Sequence, residues 1–547
     1  MTAFTALCWY GLYINFPEVL AQANASPAFL LVFSKVLAKG SLKAVNLWLL
    51  AINCGFVVLC IVWIYMYRRF YPAVQKWLYQ FKRRINDKAV GKGIPVVTDF
   101  SKHIKEGSYF FGLAENGPVY LDKGALTHHV QVVGPSGTGK TKSILFPLAM
   151  QAIRNGVPMV FIDGKGDTSL IRDFLSVDPE MLVFNPLDPE RSHSYNPLCC
   201  SDDPTELMNM IAAGLDLNAP GEAKVYTDIQ KKYLLVLLSL FLSTGKKFSF
   251  TDILEFSNYP DVRNYVLKIS KNTFHKEDLK AFSGRLSKNE KELIGLTTLV
   301  DQLFVADPKI SGLINSYNPD IDIKTVMSSN KRAIFSFSTG KKAQTNEALA
   351  KMVLSDLANA VGERHVKGQN DFMLLILDEF GQYVSESFDK FISTCRSANV
   401  GVVLSHQTNA QLKTKEGSDR LAVIVRENTA TKVILRQSEE ASFWAETFGT
   451  DKTFKHTEQT ESGSFGTQKV TEMGSMREVE EFIVHPNIFR QLPVGRAVFK
   501  TADKHPMIIN CGMWPIDTYS DITILSPHKE MNAEGLNLRT ERLGVSA

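Results

Sequence analysis

The stretch Gly134-Pro135-Ser136-Gly137-Thr138-Gly139-Lys140-Thr141 does more than any other to limit what this chain can fold into. It satisfies G-x-x-x-x-G-K-[ST] at every position, and its flanks suit it. Val130-Gln131-Val132-Val133 reads as a strand that stops at Gly134, and helix formers fill 143–153. A phosphate-binding loop needs this strand–loop–helix order. Its glycines let backbone N–H groups turn inward, and the helix N-terminus favours an anion. Gly134, Pro135, Ser136, Gly137, Thr138, Gly139, Lys140, Thr141 and Lys142 are therefore the expected nucleotide-binding residues. Lys140 would reach the β- and γ-phosphates of ATP, and Thr141 would give a hydroxyl to Mg²⁺.

Short apolar runs at 157–162, 181–184, 332–337, 372–377, 400–404 and 431–435 alternate with helical patterns. Such alternation predicts an α/β fold with a parallel sheet covered on both faces. Ligands of these sheets bind at the carboxyl ends of the strands. The run Met373-Leu374-Leu375-Ile376-Leu377 delivers Asp378 and Glu379 to that edge. Asp378 is the expected second metal residue, acting through water, and Glu379 the group that orients or deprotonates the attacking water. Gln407 follows the run Val402-Val403-Leu404-Ser405-His406 and is placed to sense the γ-phosphate. Arg396 is a candidate arginine finger for a neighbouring subunit. Asp163 and Asp167, in Asp163-Gly164-Lys165-Gly166-Asp167, are candidates either for holding metal or water or for a structural loop.

The chain has 547 residues and a net charge of only +4, so any basic footprint for nucleic acid must be local. Its seven cysteines include no C-x-x-C pair, which fits a reducing compartment. Residues 46–67 carry no charge and as a helix would extend roughly 33 Å, enough to cross a bilayer. Arg68, Arg69, Lys76, Lys82, Arg83, Arg84, Lys88 and Lys92 follow, opposed by Asp87 alone. The positive-inside rule puts this flank, and all that follows, in the cytoplasm. Residues 2–20 form a shorter candidate first span, and one span or two both remain open. Residues 451–476, rich in Ser, Thr and Gly, are expected to form a flexible loop.

Taken together, these segments resemble the type IV secretion coupling proteins, the VirD/TraG/TraD-like conjugation ATPases. The resemblance rests on the strand 130–133 with its phosphate loop, on Phe161-Ile162-Asp163-Gly164-Lys165-Gly166-Asp167, and on Asn185-Pro186-Leu187 with Asn196-Pro197-Leu198. It extends to Leu377-Asp378-Glu379-Phe380, Ser405-His406-Gln407, and Glu427-Asn428-Thr429-Ala430-Thr431-Lys432-Val433. Asp163-Gly164-Lys165-Gly166-Asp167 departs from the family's D-P-K-G-E at its second and last positions.

The resemblance implies a RecA-like P-loop NTPase domain with an inserted all-α domain and N-terminal transmembrane helices. The expected parts are a transmembrane region over 1–67, and a basic juxtamembrane linker with the start of the cytosolic part over 68–126. A nucleotide-binding domain over 127–200 and 326–517, an all-α domain over 201–325 and a tail over 518–547 complete them. The resemblance also implies a homo-hexamer in the bacterial inner membrane, using ATP and Mg²⁺. Its partners would be a single-stranded DNA–relaxase complex or protein effectors, together with components of the secretion channel. The alternatives are a non-translocating substrate receptor or an FtsK-like DNA pump.

Overall fold

Runs of Val, Ile, Leu and Phe, buried on both faces, build the centre of one large sheet in the computed structural model. The model describes residues 94–547 except 98, 218–222, 272–289, 339, 385–387, 414–417, 463–467, 516–534 and 544–547. Of residues 1–93 it describes only Gly55, Val58 and Tyr65. Apart from those three residues, the expected spans at 46–67 and 2–20 lie outside the described residues. Among the described residues no helix is long and apolar enough to cross a membrane.

The strands are β1 (Ser108–Ala114), β2 (Gly117–Asp122), β3 (Val130–Val133), β4 (Met159–Asp163), β5 (Leu182–Phe184), β6 (Arg332–Ser336), β7 (Met373–Leu377), β8 (Val400–His406) and β9 (Thr431–Ile434). After them come β10 (Thr450–Ser462), β11 (Gln468–Phe482), β12 (Arg496–Lys500) and β13 (Met507–Asn510). Eleven strands form one sheet in the order β2-β1-β13-β12-β9-β3-β8-β7-β4-β6-β5. From β9 to β5 all neighbours are parallel. From β2 to β9 all are antiparallel. The sheet takes up residues from 108 onward, the part of 68–126 expected as the start of the cytosolic region.

Period-two alternation splits the parallel strands β4 to β8 between two cores. Val160 and Ile162 of β4, and Met373, Leu375 and Leu377 of β7, face one core. Phe161 of β4, and Leu374 and Ile376 of β7, face the other, together with helices α1 (Phe146–Arg154) and α2 (Thr168–Val177).

Between β5 and β6 the described chain is helical: α3 (Pro204–Gly214), α4 (Ala223–Ser243), α5 (Phe250–Asn258), α6 (Pro260–Ile269), α7 (Glu290–Val300), α8 (Pro308–Ile314) and α9 (Ile323–Ser328). Its apolar interior is continuous with the first of the two cores, through α10 (Ala343–Val366) and α11 (Phe388–Ser397). The second Asn-Pro-Leu box fixes where this segment begins. The Asn196 side-chain amide donates to the carbonyls of Phe248 and Ser316, both at 2.9 Å, and its own oxygen accepts from Leu198 N. One amide thereby ties two distant points of the helical segment to the end of the β5 excursion.

The stretch expected as a flexible loop at 451–476 is instead part of an antiparallel ribbon. β10 and β11 pair from Thr450↔Phe482 to Ser462↔Gln468. Threonines at 450, 453, 457 and 460 are β-branched and favour extended backbone. Polar composition there goes with backbone pairing in a ribbon rather than with an unstructured turn.

Next to the junction lies a buried carboxyl. Asp356 of α10 accepts from the Tyr195 hydroxyl at 2.8 Å and is 1% exposed. Burial pushes its pKa up to about 7, against the pull of the Tyr195 donor. The folded chain therefore keeps this proton between the usual carboxylate range and about pH 7, where the unfolded chain has lost it. Stability contributed by the protonated group falls as pH rises through that window. Asp356→Asn is expected to remove the dependence, a difference of up to roughly 4 kcal/mol between pH 4 and 7. Urea midpoints of the two chains across that range should converge in acid and separate toward neutral pH. Parallel curves would show that Asp356 is ionised in the fold.

Candidate nucleotide site

Strand register alone gathers the expected residues at one edge. Val133 pairs with His406, Leu377 with Leu404, Ile162 with Leu377, and Asp163 with Ser336. Gly134, Gln407, Asp378, Glu379 and Asp163 all stand within a residue or two of those pairs. β8 lies between β3 and β7. That order puts Gln407 between the phosphate loop and the two carboxylates.

The loop has the backbone its glycines were expected to allow. Gly137 and Gly139 lie at φ 79° and 99°. A Cβ on Gly134 would come within 2.9 Å of Leu435 Cβ, and one on Gly139 within 2.9 Å of Ser143 Oγ. The Thr138 hydroxyl closes the loop on the Pro135 carbonyl at 2.7 Å. The helix starts at once: Ser143 N donates to Gly139 O, and the turn Thr141–Leu145 runs into α1. Lys142 differs from its loop neighbours, because its ammonium pairs with Asp173 of α2.

The charged groups form one cluster. Lys140, 3% exposed, donates to the Gly134 carbonyl, and its Nζ lies 3.7 Å from Glu379 Oε1. Lys165 Nζ reaches the same oxygen at 2.9 Å. Gln407 Nε2 donates to Glu379 Oε2 at 3.0 Å. The Thr141 hydroxyl donates to Asp378 Oδ2 at 2.7 Å, and Glu379 N donates to Asp378 Oδ1 at 2.9 Å. Burial alone would push the Glu379 carboxyl up, but Lys140 and Lys165 outweigh it and hold the carboxyl below its usual range. Burial lowers the Lys140 ammonium, and the attraction of Glu379 only partly restores it. For Lys165 the balance reverses: Asp378 and Glu379 overcome the cost of burial and raise it.

Glu379 occupies the left-handed region, φ 51° and ψ 38°. A non-glycine residue held there costs on the order of 1 kcal/mol or more and persists only where its surroundings enforce it. Gly164, in the loop after β4, lies beside it: a Cβ on Gly164 would meet Glu379 Cβ at 2.9 Å, so glycine there leaves room for the carboxylate residue.

That loop carries both of the acidic positions left open by the sequence, and their side chains bond within it. Asp163 accepts from the backbone N–H groups of Lys165 and Asp167 at 2.9 and 2.8 Å, and from Ser336 Oγ at 3.0 Å. Asp167 caps α2 through Ser169 N and Oγ. Both carboxylates thus hold the loop that aims Lys165.

Lys165, Gln411 and His406 belong to the site although their residue types gave no separate signal. Gln411 Oε1 accepts from Gln407 N at 2.9 Å. His406, fully buried and pushed down to about 4 by burial, meets Gln131 Nε2 at 2.9 Å and the Thr408 carbonyl at 3.0 Å. Because Gln131 Nε2 can only donate, the neutral ring accepts at Nε2 and donates from Nδ1, which fixes the turn carrying Gln407.

Arg396 stands apart from this cluster. It is exposed, at the end of α11, where Asn399 N donates to its carbonyl just before β8 begins. That is the amino end of the strand whose carboxyl end carries Gln407.

Thr141 and Asp378 offer hard oxygen donors beside a phosphate loop, the donor set Mg²⁺ takes together with substrate phosphates. The residues present fit ATP–Mg²⁺.

Comparison with known proteins agrees with this architecture. A conjugative coupling protein, TrwBdeltaN70 in an unbound monoclinic form, superposes with a TM-score of 0.51 at 17% identity, covering 80% of this chain and 98% of that one. The plasmid coupling protein TrwB in complex with ADP and Mg²⁺ gives 0.50 at 18% identity, covering 78% and 94%. An uncharacterised protein of Mycoplasma pneumoniae is 42% identical over 59 residues, 11% of this chain and 48% of that protein, so the chain spans about half the length of that curated relative. The family model described as the type IV secretion-system coupling protein DNA-binding domain matches residues 114–509. By that match, the chain belongs to the type IV secretion-system coupling proteins.

Proposed function

We propose that this chain is an ATPase, anchored in the bacterial inner membrane, that brings a DNA–relaxase complex or protein effectors to a type IV secretion channel and drives their transfer. The observation that carries the ATPase reading is the Glu379 carboxylate gripped by Lys140, Lys165 and Gln407 beside the Thr141–Asp378 pair. Family membership carries the transport reading.

Thr141 and Asp378 would hold Mg²⁺, which neutralises phosphate charge when bound. Loop N–H groups and Lys140 would bind the β- and γ-phosphates. An arriving γ-phosphate competes with Glu379 for both ammonium groups. As they turn to the phosphate, Glu379 and Gln407 are freed to orient the attacking water. Lys165 would report γ-phosphate loss to the loop after β4, and Gln407 to the turn after β8. In a homo-hexamer Arg396 would act across a subunit boundary, which its exposed position away from its own carboxylates permits. The helical segment over 201–325 would meet the cargo.

The test is ATPase rate against protein concentration for a fragment beginning at Val90, with and without single-stranded DNA. A rate that climbs with assembly and again with DNA is the expected result. Concentration-independent, DNA-indifferent turnover would leave the ATPase and remove the DNA motor, pointing to protein cargo or to a receptor role.

A further inference from the structure

The last described residues of the chain return to the helical segment. After 516–534, Gly535 bridges to Lys247, and Leu536 N donates to the Lys247 carbonyl at 2.8 Å. Leu538 N donates to Asp252 Oδ1 at 2.8 Å, and helix α12 (Leu538–Leu543) follows. Leu536 and Leu538 are 1% and 0% exposed. Arg542 Nε donates to Glu255 Oε2 at 2.7 Å, Arg539 lies 3.7 Å from Oε1, and the Arg542 guanidinium sits 3.9 Å over the Tyr259 ring. A Cβ on Gly535 would fall inside the Tyr317 ring, so only glycine can start the tail there.

The receiving surface has the features of a peptide-binding groove. Asp252 closes the capping box of α5 with Ser249 and accepts from the Tyr317 hydroxyl at 3.0 Å, yet turns its second oxygen to a backbone N–H of the tail. A buried carboxylate aimed at main chain reads any sequence and fixes only register. Selectivity comes from the two apolar sites, two residues apart, and from Glu255 with Tyr259, which take arginine through charge and the ring face. These contacts are made by one short segment, whose Leu536 and Leu538 complete the apolar cluster of the helical segment. Losing the tail would leave Asp252 and Glu255 without their tail partners and two apolar sites open.

We infer that the helical segment carries a peptide-docking groove whose occupant is this chain's own segment 535–543, held in cis as a releasable strap. The inference does not depend on ATP turnover.

The probe is a fluorescent peptide of residues 533–547, read by anisotropy against the full chain and against a chain ending at Glu534. The truncated chain is expected to bind at least 10-fold more tightly than the full chain, whose groove is filled. A full-length chain with Leu538→Asp and Arg542→Glu, whose tail is released without shortening, should bind the wild-type peptide as the truncated chain does. Glu255→Arg in the truncated chain should abolish binding, and a peptide with both arginines changed to glutamate should restore it. Equal binding to full and truncated chains, or failure of the charge exchange, would overturn the proposal. So would loss of cooperative melting in both tail variants, which would make the tail a part of the core.

Discussion

Glu379→Gln is expected to lower ATP turnover by roughly 10²–10⁴-fold while leaving nucleotide affinity within a few-fold of wild type. The carboxylate is buried and ionised, with one oxygen on Lys165 and the other on Gln407. Glutamine keeps the volume and one acceptor but loses the charge that draws both ammoniums and polarises water. Phosphate binding rests on other groups, the loop N–H donors and Lys140. The two effects should therefore part company in a measurement of kcat alongside binding of a fluorescent nucleotide. Turnover above a tenth of wild type would mean that another group orients the water.

Lys140→Ala is expected to take turnover to background, a fall beyond roughly 100-fold, because a preorganised cation at developing phosphate charge is lost. Here affinity should fall with it, which separates this variant from Glu379→Gln. The fold should survive: Glu379 keeps Lys165 at 2.9 Å as its counter-charge, so no uncompensated buried carboxylate remains. Retained turnover in a chain that melts normally would refute the assignment of this loop as the phosphate site.

Much of this site could be read from residue order. A β-branched or aliphatic strand, buried on both faces, is legible because nothing polar interrupts it, and β3, β4, β7, β8 and β9 lie where their apolar runs placed them. Residues at the ends of such strands inherit their position from the register, which is how Asp378, Glu379 and Gln407 were found. Lys165 was not legible in that way. Its role depends on a long side chain crossing from one strand end to another, a tertiary fact without local periodicity. The antiparallel strands were hidden for a different reason. β2 is half exposed along its length, and β10 and β11 are built from threonine and charged residues that also suit loops. Cross-strand pairing decides such segments, and composition does not. Asn196 was noticed through resemblance, but its task of pinning the helical segment at two carbonyls needed the fold.

The left-handed backbone at Glu379 bears on how this sequence would change over generations. Glycine or asparagine would sit at φ 51° with less strain than glutamate does. Selection for turnover and selection for folding thus pull this one position in opposite directions. A gene copy relieved of the first would be expected to lose its glutamate early, well before the glycines of the phosphate loop. An otherwise intact phosphate loop paired with glycine or asparagine at position 379 would therefore mark a chain that had kept the architecture and given up turnover.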